Sequence, residues 1–242
     1  VLAHGAGGNA MSWWQQIPYF AKRYTVVTFD HRSFGRSTCP PEAFHPRFFA
    51  DDLIRILDAL GIERTPVVCQ SMGGWTGLRT ALHYPERVSC LVLGDTPGGL
   101  FDEQILGSLV KIGDRTRGEG LASATALAPD FPVRNPELAF LYDQINQLNT
   151  EVDLAALPRL FDEEARILPE ALSGFSIPTL VLIGEHDLLF PPDLLRHVVE
   201  LIPGAQTCEF PSVGHSTYFE DPTTFNRRVD AFISENQGPA HS

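Results

Sequence analysis

Short apolar runs alternate with helical stretches along most of the chain. Val1-Leu2-Ala3-His4-Gly5 reads as the end of a buried strand entering a glycine-rich turn; either an earlier stretch precedes it or the sheet lacks edge strands on that side. Tyr24–Phe29 is a β-branched run that predicts a strand. Phe49, Leu53, Ile56, Leu57 and Leu60 recur at helical spacing, with Gly61 as the stop signal. Pro66–Gln70 predicts a short buried strand, followed by an apolar helix running to about Tyr84. Val88–Gly94 and Pro178–Gly184 predict further buried strands, Ala205–Phe210 a weaker one, and Pro192–Ile202 and Pro222–Ile233 helices. Near-continuous Val, Ile and Leu in strands that alternate with helices indicates an α/β fold: a mostly parallel sheet flanked by helices on both faces. Right-handed crossovers then bring the strand ends, and any active site, to one edge.

Gly98–Gly174 breaks this alternation. It carries no convincing strand, is punctuated by prolines, and has helical pieces at Phe101–Arg117, Pro136–Thr150, Leu154–Phe161 and Glu163–Leu172. The expected organisation is a core of residues 1–97 and 175–242, with 98–174 as a helical cap, or lid, inserted over the sheet edge. Gln237–Ser242 reads as a frayed tail.

At 242 residues and 43% hydrophobic, the chain can bury a sizeable core without disulfides. No apolar run reaches the roughly 18 residues of a membrane-span candidate, and residues 1–9 lack the pattern of a secretory signal. A net charge of −12 argues against a nucleic-acid partner. Cys39, Cys69, Cys90 and Cys208 are scattered, the usage of a reducing compartment, so a cytoplasmic location is expected. The eight histidines and the carboxylates show no HExxH or comparable ligand spacing, so no metal and no cofactor is expected. The partner expected is a small-molecule substrate.

The strongest chemical signal is Val67-Val68-Cys69-Gln70-Ser71-Met72-Gly73-Gly74, between a predicted strand and a predicted helix. A serine in so tight a turn is pushed out of both elements, and small residues two before and two after it, Cys69 and Gly73, permit the turn. The competing use of such a serine is as a helix N-cap. Asp187 follows the Leu180–Gly184 run, and His215 comes 28 residues later, after the last predicted strand. In the order Ser71, Asp187, His215, the histidine would take the serine proton while the acid fixes its tautomer. Asp95, ending the Val88–Gly94 strand, is an alternative acid.

With His4-Gly5-Ala6-Gly7-Gly8, Asp30-His31-Arg32-Ser33-Phe34-Gly35-Arg36-Ser37, the serine turn, Gly184-Glu185-His186-Asp187 and Gly214-His215, the chain resembles the small, lid-bearing serine hydrolases of the α/β-hydrolase fold. That group includes 3-oxoadipate enol-lactonases, meta-cleavage C–C hydrolases, cofactor-free haloperoxidases and carboxylesterases. Two departures stand out: Cys69 and Ser33 occupy positions where glycine is typical. The resemblance implies Ser71, Asp187 and His215 as the catalytic residues, with the backbone N–H groups of Ala6 and Met72 as the oxyanion hole. Gly5, Trp75 and Phe140 are candidate substrate contacts, although packing is the competing use of Trp75. His4 is expected to brace its turn, His31, His45, His83 and His197 to be solvated, and His186 to have no catalytic role. The implied reaction is hydrolysis of a carboxylic ester or lactone through an acyl-enzyme. The alternatives are a C–C hydrolase of a vinylogous diketone, using Arg134, Arg159 or Arg166 as a lid cation, and a slow-turnover ligand receptor. Residues 98–174 hold 13 acidic against 6 basic residues. A field of that sign predicts neutral, apolar substrates over anionic ones.

Overall fold

The computed structural model describes residues 1–116, 126–150 and 154–236. Its longer elements follow the order β1 (Leu2–Ala3), α1 (Phe49–Ala59), β2 (Thr65–Gln70), α2 (Gly73–His83) and β3 (Val88–Gly94). Then come α3 (Glu103–Thr116), α4 (Pro136–Asn146), β4 (Thr179–Gly184), α5 (Pro192–Leu201), β5 (Gln206–Phe210) and α6 (Pro222–Asn236). The strands form one sheet in the order β1-β2-β3-β4-β5, with every pair parallel. The expected α/β architecture is therefore present, and all five strands end at the same edge.

Strand side chains alternate between the two faces, as the pleat requires. Ala3, Val67, Cys69, Leu91, Leu93, Val181 and Ile183 point into one core with Leu53 and Leu57 of α1, Leu78 of α2 and Leu195 and Val198 of α5. Leu2, Val68, Val92, Leu180 and Leu182 point into the other, against Phe225, Val229 and Phe232 of α6. Tyr142 and Ile145 of α4 join that second core, so the long β3–β4 connection packs on the sheet domain. The two ends of this connection meet: Phe101 N–H donates to Ile167 O at 2.9 Å, and Ile167 N–H to Gly99 O at 2.8 Å.

Several local expectations change. Tyr24–Phe29 lies beside β1 through one isolated bridge, Leu2 to Thr28, with Leu2 N–H donating to Val27 O at 2.9 Å, and is not a strand of the described ladder. Glu163–Leu172 is two 3₁₀ turns, Glu163–Ala165 and Pro169–Leu172; Pro169 restarts the turn where a continuous helix would need a backbone donor. The expected tail, residues 237–242, lies outside the described residues.

Cys69 fits its glycine-like position because the helix across from it gives way. A Cβ placed on Gly77 of α2 would lie 2.3 Å from Cys69 Sγ and 2.7 Å from Leu91 Cδ1. Alanine in place of a helical glycine ordinarily gains about 0.5–1 kcal/mol, but overpacking costs about 1–3 kcal/mol, so overpacking should win here. Gly77→Ala should be destabilising in the native background and closer to neutral when combined with Cys69→Ala. Urea unfolding of the four proteins of this double-mutant cycle measures the coupling directly.

Candidate active site

Each strand end delivers one piece of the candidate site: His4-Gly5 after β1, Ser71 after β2, Asp95 after β3, Asp187 after β4 and His215 after β5. Ser71 has φ +50°. A left-handed non-glycine residue costs roughly 1–3 kcal/mol and persists only where its surroundings fix it. Here Ser71 N–H donates to Gly94 O at 2.9 Å, and the chain turns straight into α2. The turn passes so close to β1 that a Cβ on Gly73 would sit 2.2 Å from Ala3 O. No side chain caps α2, so Ser71 does not act as an N-cap and its hydroxyl has no structural bond of that kind.

Asp187 and His215 are joined by a 2.8 Å bond from His215 Nδ1 to Asp187 Oδ2, with both side chains buried. The other carboxylate oxygen accepts the N–H groups of Leu189 and Phe190, each at 2.8 Å. Both oxygens of the buried Asp187 carboxyl are thus engaged, one by the imidazole and one by backbone N–H groups. Burial disfavours the imidazolium of His215, but the Asp187 charge and hydrogen bond, with Asp95 and Glu220, outweigh it and hold its pKa above the ordinary value. With Nδ1–H donating to Asp187, Nε2 carries the free lone pair.

Among the described residues no hydrogen bond joins Ser71 Oγ to His215. Nucleophile–base bonds are often long before substrate arrives. The two loops are nonetheless tied, because Gln70, immediately before Ser71, donates through Nε2 to His215 O at 2.9 Å. Gly5 lies on the other side of this contact: a Cβ there would be 2.0 Å from Gln70 Oε1 and 2.9 Å from Ser71 Cβ. Among the described residues, the N–H groups of Ala6 and Met72 have no backbone acceptor.

His4 braces its turn as expected. Its Nδ1–H donates to Gly5 O at 2.8 Å, its Nε2 accepts His31 N–H at 2.9 Å, and burial pushes its pKa down to about 4. Three histidines expected in solvent are not there. His31 is buried against His4, Phe29 and Phe49 and bonds Thr76 Oγ1, because its loop folds back over α1 and α2. His45 is buried and caps the turn that leads into α1, and His197 is paired with Asp102. His83 and His186 are exposed.

Two of the candidate substrate contacts can be placed. Trp75 is fully buried and its indole N–H is used by Leu160 O at 2.9 Å, so it packs α2 against the β3–β4 connection. Phe140 is 65% exposed. It lies on the side of α4 opposite Tyr142 and Ile145, the positions that the helical repeat turns inward.

Residues that sequence reasoning passed over complete the surroundings. Phe190 lies against the His215 ring, with centroids 5.4 Å apart. Its place three residues after Asp187 was the available signal. Asn149, from beyond α4, accepts Gly35 N–H at 2.7 Å and donates to Gly8 O at 3.1 Å, spanning both glycine-bearing loops. Glu220 accepts the N–H groups of Gly214 at 2.9 Å and Ala128 at 3.1 Å, and burial pushes its pKa up to about 7 against those bonds. Neither Asn149 nor Glu220 stands in a local pattern that marks it. The three arginines weighed as a lid cation are all engaged: Arg134 with Asp130 and Ser212 O, Arg159 with Phe44 O, and Arg166 with Phe161 O and the Phe101 ring. No described group of three or more His, Cys, Asp or Glu residues is placed to hold a metal.

A raised His215 pKa means that the imidazolium persists above the usual value near 6.5 and the free base appears only at higher pH. NMR titration of the His215 ring should place its midpoint above 6.5, and Asp187→Asn should move that midpoint downward.

The comparisons with known proteins agree with this fold. The family model described as "alpha/beta hydrolase fold" matches residues 1–222. A 3-oxoadipate enol-lactonase 2 from Acinetobacter baylyi is 28% identical, over 96% of this chain and 87% of its own. A thermophilic esterase from Thermogutta terrifontis superposes with a TM-score of 0.81 at 24% identity, covering 98% of this chain and 89% of that one. The serine hydrolase CCSP0084 from Cycloclasticus zankles gives a TM-score of 0.77 at 26% identity, covering 96% and 88%. With a parallel sheet whose strand ends carry Ser71, Asp187 and His215, and a family match over most of its length, the chain belongs to the α/β-hydrolase fold family.

Proposed function

We propose that the chain is a serine hydrolase that cleaves a carboxylic ester or lactone through an acyl-enzyme, with Ser71 as nucleophile, His215 as base and Asp187 as the orienting acid. The observation that carries this reading is the buried Asp187–His215 pair, whose loop Gln70 ties to the left-handed Ser71 at the end of β2. Ser71 Oγ attacks the carbonyl carbon and its proton passes to His215 Nε2. The N–H groups of Ala6 and Met72 receive the oxyanion, and a preorganised donor of this kind is worth roughly 10²–10³ in rate. The alcohol then leaves with the proton from His215, and water repeats the attack to release the acid and restore Ser71. The names of the similar proteins, an enol-lactonase, an esterase and a serine hydrolase, support an ester-type bond.

Residues 98–174 act in this reading as a cap on a core of 1–97 and 175–242. The contacts of Trp75 with Leu160 O, of Arg79 with Ala165 O and of Asn149 with the Gly8 loop hold the two together beside the strand ends. The substrate is small to medium and apolar. Phe190 flanks the base, and Arg134, Arg159 and Arg166 are already bound elsewhere, which also disfavours the C–C hydrolase alternative that needs a lid cation. The cytoplasmic location rests on the cysteine usage alone.

A fluorophosphonate should add once per chain, and peptide mapping should place the adduct on Ser71; Ser71→Ala should abolish both labelling and turnover. Asp187→Asn should fold normally and lower kcat by up to ~10⁴. Steady-state turnover of a chromogenic ester separates this reading from a receptor, which would release product about once. Matched neutral and anionic esters should differ in kcat/KM in favour of the neutral one, the gap narrowing with added salt as the acidic cap is screened over about 8 Å. A faster anionic ester would show that a cap arginine faces inward.

A further inference from the structure

Asp95 ends β3, between the strand that carries Ser71 and the strand that leads to Asp187, and the mechanism above gives it no part. It is completely buried and, like Ser71, has a left-handed backbone, with φ +50°. Its Oδ1 accepts the Gly184 N–H at 3.1 Å. Its Oδ2 accepts the Thr217 N–H at 3.1 Å and the Thr217 Oγ1–H at 2.7 Å. Gly184 opens the turn that carries Asp187, whose N–H donates back to Gly184 O at 3.2 Å. Thr217 stands two residues after His215. One carboxyl group therefore bonds both the acid's turn and the base's turn, while the imidazole nitrogen that an alternative acid would need is occupied by Asp187.

We propose that Asp95 is a positioning residue, whose carboxyl clamps the Gly184–Asp187 turn to the His215–Thr217 turn so that the imidazole is aimed at Ser71. The inference rests on the serine-hydrolase reading of the site. The clamp also bears on the electrostatics of the base. Burial, reinforced by the neighbouring Asp187 charge, holds the Asp95 carboxyl well above the usual carboxylate range, while His215 and the Thr217 bonds pull the other way. In return Asp95 adds to the field that raises His215. The groups facing His215 are Asp187 from the β4 turn, Asp95 from β3 and Glu220 from the turn after the base; Asp95 also faces the Tyr218 phenol. Asparagine removes the Asp95 contribution to that field and can satisfy only one of the two backbone N–H groups. Thr217→Val removes one bond and leaves the carboxyl in place.

The test measures kcat and KM for 4-nitrophenyl butyrate from pH 5 to 9 on the full chain and its Asp95→Asn, Thr217→Val, Thr217→Ser and Asp187→Asn variants, each titrated with a fluorophosphonate. Asp95→Asn should lose about 10- to 100-fold in kcat, the scale of a small misplacement, with KM within about threefold. Any movement of its acidic limb should be to lower pH, because Asp95 contributes to the field that raises His215. Thr217→Val should lose less kcat with its limb unmoved, and Thr217→Ser, which keeps the hydroxyl, should recover the loss. Wild-type kcat and limb in both Asp95→Asn and Thr217→Val would overturn the clamp. So would a near-total loss in Asp95→Asn with full activity in Asp187→Asn, which would make Asp95 the triad acid. Should Asp95→Asn not fold, the Thr217 pair decides alone. A wild type that is not labelled at Ser71 would instead overturn the reading on which the clamp rests.

Discussion

The architecture depends on how closely backbone meets backbone at the carboxyl ends of the parallel strands. Ala3 O lies where a Cβ on residue 73 would have to be, and Gly214 O lies 1.9 Å from where one on residue 184 would be. These contacts leave no room for a side chain, so the serine turn sits directly on β1 and the acid turn directly on the histidine loop. The polar groups of five separate segments converge because glycine allows their main chains to touch.

That convergence crowds carboxylates into a dry space, and the structure answers with backbone donors. Asp187 takes the N–H groups of Leu189 and Phe190, Asp95 those of Gly184 and Thr217, and Glu220 those of Gly214 and Ala128. A buried charge without such partners would be neutralised or would unfold its surroundings. The compensation is uneven. Asp95 and Glu220 are still pushed up by burial, whereas the Asp187–His215 pair stabilises itself through mutual attraction. The electrostatics of the candidate base are thus set by three carboxylates on three different elements.

The connection between β3 and β4 is tied to the sheet domain by polar contacts as well as by its apolar face. Tyr142 OH meets Ser216 Oγ at 3.1 Å, Glu220 reaches Ala128 N, and Asn9 Nδ2 donates to Ile145 O at 2.7 Å. Two of these bonds involve residues that follow His215, Ser216 and Glu220. Any shift of this connection is therefore felt at the histidine, which links the shape of the space above the strand ends to the geometry of the base.

The local pattern determined the α/β class, the four longer strands, the helices between them and the turn residues at Ser71, Asp187 and His215, because strand and helix periodicity and tight-turn chemistry are short-range properties. Even the departures were legible: Ser33 stands where glycine is typical and adopts φ +69°, the glycine-like conformation that its position requires. Tertiary structure alone decided the rest. Tyr24–Phe29 has strand composition but only one bridge. His31 and Trp75 turned inward and Phe140 outward because burial depends on which helix or loop packs above a residue. The engagement of Arg134 and Arg159, the reach of Asn149 to two loops and the bonds of Asp95 across two turns join residues far apart in the chain. No local pattern records such distances; they exist only once the sheet has brought its strand ends together.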